Sequence, residues 1–191
     1  MLYRRDLMVS MLAWPALQAR ADEAGADTLL RHGGVVLALR HALAPGTFDP
    51  PGFLLGDCRT QRNLSDAGRS QARRVGRWFA ARALQPARVR SSPWCRCMET
   101  ATLAFGQPDA WAALASPHGA PETTSAAHLE ALRQALAAAT ARRGVFEVWV
   151  THMFVLSDLA GVSADSGEGL ILQADASGVP RVLARMPSSS F

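Results

Sequence analysis

The chain contains no lysine: all 20 of its basic residues are arginines, so every fixed positive charge is a planar guanidinium. So one-sided a choice follows from genomic base composition as readily as from function. Cysteine is scarce as well. Cys58, Cys95 and Cys97 are too few for a disulfide scaffold, and the Cys-x-Cys pair lacks the partners and spacing of a zinc site. Long apolar runs are missing: the stretch 7–17 is short and interrupted by Pro15, which excludes a spanning helix there. No repeat or low-complexity block divides the 191 residues, and 49% hydrophobic with 19% charged content suits one globular domain with a real core. Of the formal charge of +4, residues 1–21 carry +2 (Arg4, Arg5 and Arg20 against Asp6). The remaining +2 is too small an excess to call for a polyanionic partner.

The first 21 residues have the layout of a secretory signal peptide: Arg4-Arg5, then the short apolar stretch, then small residues in Ala19-Arg20-Ala21. Residues 1–21 are therefore expected to be a leader and 22–191 the domain, exported and periplasmic, with no stable membrane anchor. A frayed amphipathic N-terminus is the alternative. In an exported chain one disulfide is expected between Cys58 and either Cys95 or Cys97; three small buried thiols are the other reading.

The apolar run 34–39 reads as a buried strand that delivers Arg40-His41 at its carboxyl end, the usual ligand-binding edge of an α/β sheet. Arg31-His32-Gly33 precedes that strand, so its side chains should emerge at the opposite end. A Pro- and Gly-rich loop over 42–63 follows the histidine, long enough to serve as a wall of the site. Ser65 caps a predicted helix to about Leu84, with Ala72, Val75, Phe79 and Ala83 on one face and Arg69, Arg73 and Arg77 on another. Strands are predicted over 88–92, 145–150, 169–173 and 181–184, and helices over 94–105, 126–142 and 153–160. Residues 106–125 read as loop and 187–190 as a loose tail. Strands alternating with helices predict a three-layer α/β/α sandwich with a mostly parallel central sheet.

Three strand ends then carry related cargo: Arg40-His41 after the first, Arg96 in the first turn of the next helix, and His152 after the 145–150 strand. In a parallel sheet these lie on one edge, where convergent positive charge suits a phosphoryl dianion. Here the residues resemble the histidine phosphatase superfamily, also called phosphoglycerate mutase-like. Arg40-His41-Ala42 resembles its Arg-His-Gly signature. The segment from Ser91 through Arg96 to Thr100-Ala101 resembles its Ser-x-x-x-x-Arg-x-x-x-Thr-Ala run. Leu64-Ser65-Asp66-Ala67-Gly68-Arg69-Ser70-Gln71-Ala72 resembles its helix start, and Thr151-His152 its late Gly-His.

The resemblance implies a phosphoglycerate mutase-like fold and phosphomonoester hydrolysis through a phosphohistidine on His41, with Arg40, Arg96 and His152 binding the phosphoryl oxygens and no metal or other cofactor. A small phosphorylated substrate is the expected partner. Glu168 is the first candidate for the acid that protonates the leaving group, with Asp49 and Glu122 behind it; Glu99 is expected to pair with Arg96. Arg59 and Asn63 are candidate pocket residues. Two departures bear on substrate class: Ala42 replaces the usual Gly, and Met153-Phe154 follow His152 where phytase-like relatives carry polar residues. The rival readings are a phosphate-binding or regulatory member without turnover, and a basic nucleic-acid module built on Arg69, Arg73 and Arg77.

Overall fold

The computed structural model describes residues 25–117 and 123–191. The expected leader and Glu122 lie outside the described residues. After a helix over 25–32 (α1), the elements run β1 Val35–Arg40, α2 Asp66–Ala81, β2 Arg88–Ser91, α3 Cys95–Phe105, β3 Asp109–Ala110, α4 Ala126–Thr140, β4 Phe146–Thr151, α5 Met153–Ala160, β5 Gly169–Ala174 and β6 Pro180–Met186. They form a six-stranded sheet in the order β3-β2-β4-β1-β5-β6. The pairs β2/β3, β2/β4 and β1/β4 are parallel and β1/β5 and β5/β6 antiparallel, so only β5 runs against the rest.

Burial on both faces explains why β1 reads as unbroken apolar sequence. Val35, Leu37 and Leu39 point to one face and join Val75, Phe79 and Ala101 from α2 and α3. Val36 and Ala38 point to the other and join Leu132, Leu136, Leu156 and Leu159 from α4 and α5. Two cores on opposite faces of one sheet make the three layers. The sheet order puts β1 and β4 side by side at the centre, with Arg40 opposite Thr151. Their carboxyl ends, carrying His41 and His152, therefore open on the same edge.

Local chemistry sets the element ends. Ser65 Oγ accepts from the Gly68 N–H at 3.1 Å and caps α2; Ser125 does the same for α4 through His128 N–H at 3.2 Å. Gly161, at φ 69°, closes α5. Two expectations need correction. The 106–125 stretch holds β3, which pairs through Asp109 and Ala110 with β2, and a strand of two residues is too short to leave a periodic signature. The tail is not loose: residues Ser188–Ser190 form a 3-10 turn and Phe191 packs edge-on to Trp78, centroids 5.8 Å apart.

Candidate active site

His41 follows β1 and is tied to β4 by its N–H, which donates to the Thr151 carbonyl at 3.0 Å. Its Nδ1 lies 2.8 Å from the Ala42 carbonyl oxygen. Only an N–H can face a carbonyl there, so Nδ1 carries the proton and Nε2 keeps its lone pair. Burial pushes the His41 pKa down to about 3, and the charges of Arg96, Arg62 and Arg40 act in the same direction against the Ala42 carbonyl. The ring is neutral at pH 7, as a nucleophile requires. Ala42, which departs from the family's glycine, does not sit in the left-handed region, so its methyl adds no backbone strain.

His152 lies with its ring centroid 5.5 Å from that of His41. Its Nδ1 is 3.3 Å from Arg96 Nη2, a pure donor, and its Nε2 is 2.8 Å from Ser92 Oγ. The ring therefore accepts at Nδ1 and donates at Nε2. Burial, then the charge of Arg96, holds its pKa well below the usual imidazole range. Arg96 itself, in the first turn of α3, is 2% exposed. Its Nη1 donates to Asp49 Oδ1 at 2.8 Å and Oδ2 at 3.0 Å. Arg40, at the end of β1, donates from Nη1 to the Ala164 carbonyl at 2.8 Å.

A third guanidinium completes the cluster. Arg62 donates to the Ala44 carbonyl, and its pKa is lowered to about 10 by burial and then by the charges of Arg96 and Arg40. Arg40 is lowered too, by burial first and by Arg96 as well. The Nε atoms of Arg40, Arg62 and Arg96 are all buried without a hydrogen-bond partner among the described residues. Buried unsatisfied donors cost free energy, and phosphoryl oxygens are the acceptors such a cluster fits.

The motif residues around these groups are braces. Thr100 Oγ1 donates to the Arg96 carbonyl at 2.6 Å and accepts the Ala42 N–H at 3.0 Å, so it fixes the backbone beside His41. Gln71 Oε1 accepts the Leu43 N–H at 2.9 Å while Nε2 donates to the Ser166 carbonyl at 2.8 Å, joining the loop after His41 to the loop before β5. A Cβ on Gly68 would lie 2.0 Å from the Leu43 carbonyl oxygen, which is why the helix start needs glycine there. Cys58 and Cys95 form a disulfide that pins the 42–63 loop to α3. Cys97, two residues further round the helix, is buried beside His152, with Sγ 3.4 Å from Nε2; burial pushes its thiol up to about 12.

Several site expectations meet a different geometry. The structure brings Arg40, His41, Arg96 and His152 together, but both Glu168 oxygens are engaged elsewhere. Oε1 accepts from Arg185 Nε and Oε2 from the Asp165 N–H, each at 2.7 Å, because β5/β6 pairing brings Arg185 opposite Leu170, just past Glu168. Asp49 is the carboxylate bonded to Arg96, and it also accepts the Trp94 Nε1–H at 3.1 Å and the Arg62 N–H at 2.9 Å, while Asp165 and Glu168 bear on Arg40. Glu99 does not pair with Arg96; it accepts from Arg69 Nε at 2.6 Å, since the Arg96 side chain turns inward to Asp49. Arg69 is thereby committed to Glu99 and Asp66. Arg59 pairs with Asp57 on the surface, and Asn63 donates to the Cys58 and Gln61 carbonyls within its own loop. His32 sits at the other end of the sheet against Arg143. Arg62 was missed: it lies in an aperiodic loop, and its one signal was adjacency to the Asn63-Leu64-Ser65 helix start.

A cleft of about 330 Å³ opens beside Arg96 and Asp49, walled by Phe48, Phe53, Trp94 and Phe154. A larger groove of about 560 Å³ lies at the amino ends of the strands, around Pro86 and Arg88, and touches none of these groups.

The fold is phosphoglycerate mutase-like, and its central edge gathers cations around two imidazoles. A sequence model described as "Histidine phosphatase superfamily (branch 1)" matches residues 27–116, a little under half the chain and the segment that holds His41 and Arg96. No curated protein matches the sequence. Solved structures are similar in fold: the protein histidine phosphatase SixA complexed with tungstate (18% identity, 81% of this chain and 97% of that one, TM-score 0.57); a mycobacterial glucosyl-3-phosphoglycerate phosphatase (15%, 80% and 98%, TM-score 0.58); and a phosphoglycerate mutase from Thermus thermophilus (17%, 80% and 98%, TM-score 0.54).

Proposed function

We propose that the protein is a phosphomonoester hydrolase that passes the phosphoryl group through His41. The observation that carries this is the bare Nε2 of a neutral, buried imidazole set among Arg40, Arg62, Arg96 and His152. The Nε2 lone pair attacks phosphorus and the bond from phosphorus to the ester oxygen breaks, while Nδ1–H, held by the Ala42 carbonyl, stabilises the charge that develops on the ring. The three guanidiniums are preorganised donors for the phosphoryl oxygens, while His152, whose Nε2–H is given to Ser92, orients Arg96.

The substrate enters as its monoanion, and as its phosphoryl oxygens take Arg96 Nη1 from Asp49 its proton passes to the Asp49 carboxylate. Asp49 hands that proton to the ester oxygen as the alcohol leaves. In the second step water attacks phosphorus, its proton passes to the Asp49 carboxylate, the P–N bond breaks and His41 returns to its starting form; Asp49 gives the proton to the departing phosphate and regains Arg96. Glu168 is thereby given an anchoring role on Arg185 instead of the acid role.

Rapid quenching with a ³²P-labelled phosphomonoester tests the reading. An acid-labile adduct is expected in the parent and in His32→Asn, and none in His41→Asn. Binding of phosphate or tungstate with no adduct and no turnover would make the chain a phosphate-binding member instead.

Export to an oxidising compartment belongs to the same proposal. The Cys58–Cys95 disulfide supports it, since such bonds persist chiefly where thiols are not kept reduced. Cell fractionation with thiol alkylation checks it: the bond and the protein should be found together outside the cytoplasm.

A further inference from the structure

We infer that the aromatic cleft beside Arg96 is the subsite for the alcohol half of the substrate, and that the alcohol it takes is aromatic or otherwise apolar. The inference rests on the phosphomonoester reading and adds the chemical class of the leaving group. Its starting point is placement. Asp49 and Arg96 line the cleft, and Arg96 also bonds to His152 Nδ1, so the cleft opens onto the phosphate anchor. A phosphoryl group held there would direct its ester oxygen past Asp49, the proton donor, and the remainder of the alcohol into the cleft.

The walls then decide what that remainder can be. Four aromatic side chains face it: Phe48 and Phe53 from the loop after His41, Trp94 before α3, and Phe154 in the first turn of α5. Trp94 is fixed, with its ring edge-on to His152 at 5.5 Å, its Nε1–H on Asp49 and Phe53 tilted against it at 5.8 Å. Proline rings at 50, 51 and 117 add further apolar surface. Among the described residues, Thr47 and Ser116 supply the only hydroxyls of the lining. The Asp49 oxygens already accept from Arg96, the Arg62 N–H and the Trp94 indole.

A polyol entering this cleft would bury hydroxyls that have few partners, which costs more than leaving them in water. A flat apolar ring meets aromatic faces on several sides and leaves no polar group unpaired. The volume, about 330 Å³, is at the small end of pockets that take small molecules, and it fits one or two rings.

The test compares benzyl, cyclohexylmethyl and glycerol phosphates, all esters of alkyl alcohols, so that leaving-group acidity does not sort them. Benzyl and cyclohexylmethyl phosphates are expected to exceed glycerol phosphate in kcat/KM by about tenfold or more. Phe154→Ala should bring that ratio toward unity with little change on glycerol phosphate. Phe48→Ala, at a side chain 62% exposed and outside the core, should lower it without disturbing the fold. Equal kcat/KM for the three esters, or a ratio that survives both variants, overturns the inference. Affinity for benzylphosphonate against the phosphonate analogue of glycerol phosphate separates the two readings. Tighter benzylphosphonate binding without labelling of His41 supports the cleft and refutes the hydrolase; labelling without discrimination does the reverse.

Discussion

Asp49 holds Arg96 through both carboxylate oxygens, at 2.8 and 3.0 Å from one guanidinium nitrogen, with the two side chains only 9% and 3% exposed. The pair joins the loop that follows the nucleophile to the first turn of α3, across 47 residues of sequence. In the free protein the carboxylate therefore stands on a donor that a phosphoryl oxygen would use. Asp49→Asn keeps the shape and removes the proton source. The rate of His41 labelling by alkyl phosphates should fall by about 10²-fold, the usual worth of a positioned acid. Labelling by p-nitrophenyl phosphate, whose leaving group needs no proton, should fall far less. Rapid-quench kinetics on the two ester classes checks this, and equal losses of labelling rate on both would remove Asp49 from the acid role.

Arg62 separates a phosphate anchor from a loop brace. Its replacement by Met retains the buried stem and deletes the charge that bears on His41. We expect kcat/KM to fall by about 10²- to 10³-fold, as when one preorganised donor to a transition state is lost. Because Arg62 also bonds the Ala44 carbonyl, thermal stability is measured alongside. A loss of activity that merely follows a loss of folded protein would assign it to the loop.

The two site histidines give stability a pH dependence of known sign. His41 titrates at about 3 when folded and near 6.5 when unfolded, and His152 is displaced in the same direction. Between those values the unfolded chain binds a proton that the folded chain refuses. Stability is therefore full above pH 6.5 and falls as the pH drops below it, by up to about 1.4 kcal/mol per pH unit for each histidine. Urea denaturation between about pH 5 and pH 8 measures the slope. His41→Asn and His152→Asn should each flatten it below pH 6.5; a slope unchanged in both would mean the imidazoles are not held neutral.

The disulfide predicts a separation between core and site. Cys58–Cys95 closes a loop with a sequence separation of 37, for which chain entropy alone gives about 4 kcal/mol. Cys58→Ser should lower the melting temperature. It should also slow His41 labelling by alkyl phosphates more than labelling by p-nitrophenyl phosphate, because the bond holds the wall that carries Asp49 and not the strand that carries His41. Cys97→Ser tests the contrast: the buried thiol forms no bond to the loop, so the ratio of the two labelling rates should stay near the parent value.

What could be read from sequence follows from how local each cause is. His41 was legible because an apolar run buried on two faces ends one residue before it, and Arg96 because the helix motif places it in a first turn. His152 followed from the second such strand. Asp49 and Arg62 come from the long loop, whose path is set by a disulfide, by Gln61 accepting the Cys95 N–H at 3.0 Å and by the Asp49 pair itself, none of which has a sequence period. Glu168 was placed in the right loop, but its rotamer depends on Arg185, seventeen residues away on a neighbouring strand. Of the cysteines, sequence left two partners open for Cys58. The turn of α3 distinguishes them, sending Cys95 outward to the loop and Cys97 into the core.

Gln71 makes one amide answerable to two loops at once, receiving Leu43 on its oxygen and giving to Ser166 from its nitrogen. No hydrocarbon of that size can do both, and a carboxylate can do only half. The mouth and the rear wall of the cavity are consequently riveted at a single point on α2, and any lengthening of either segment that shifts this point must reshape the other.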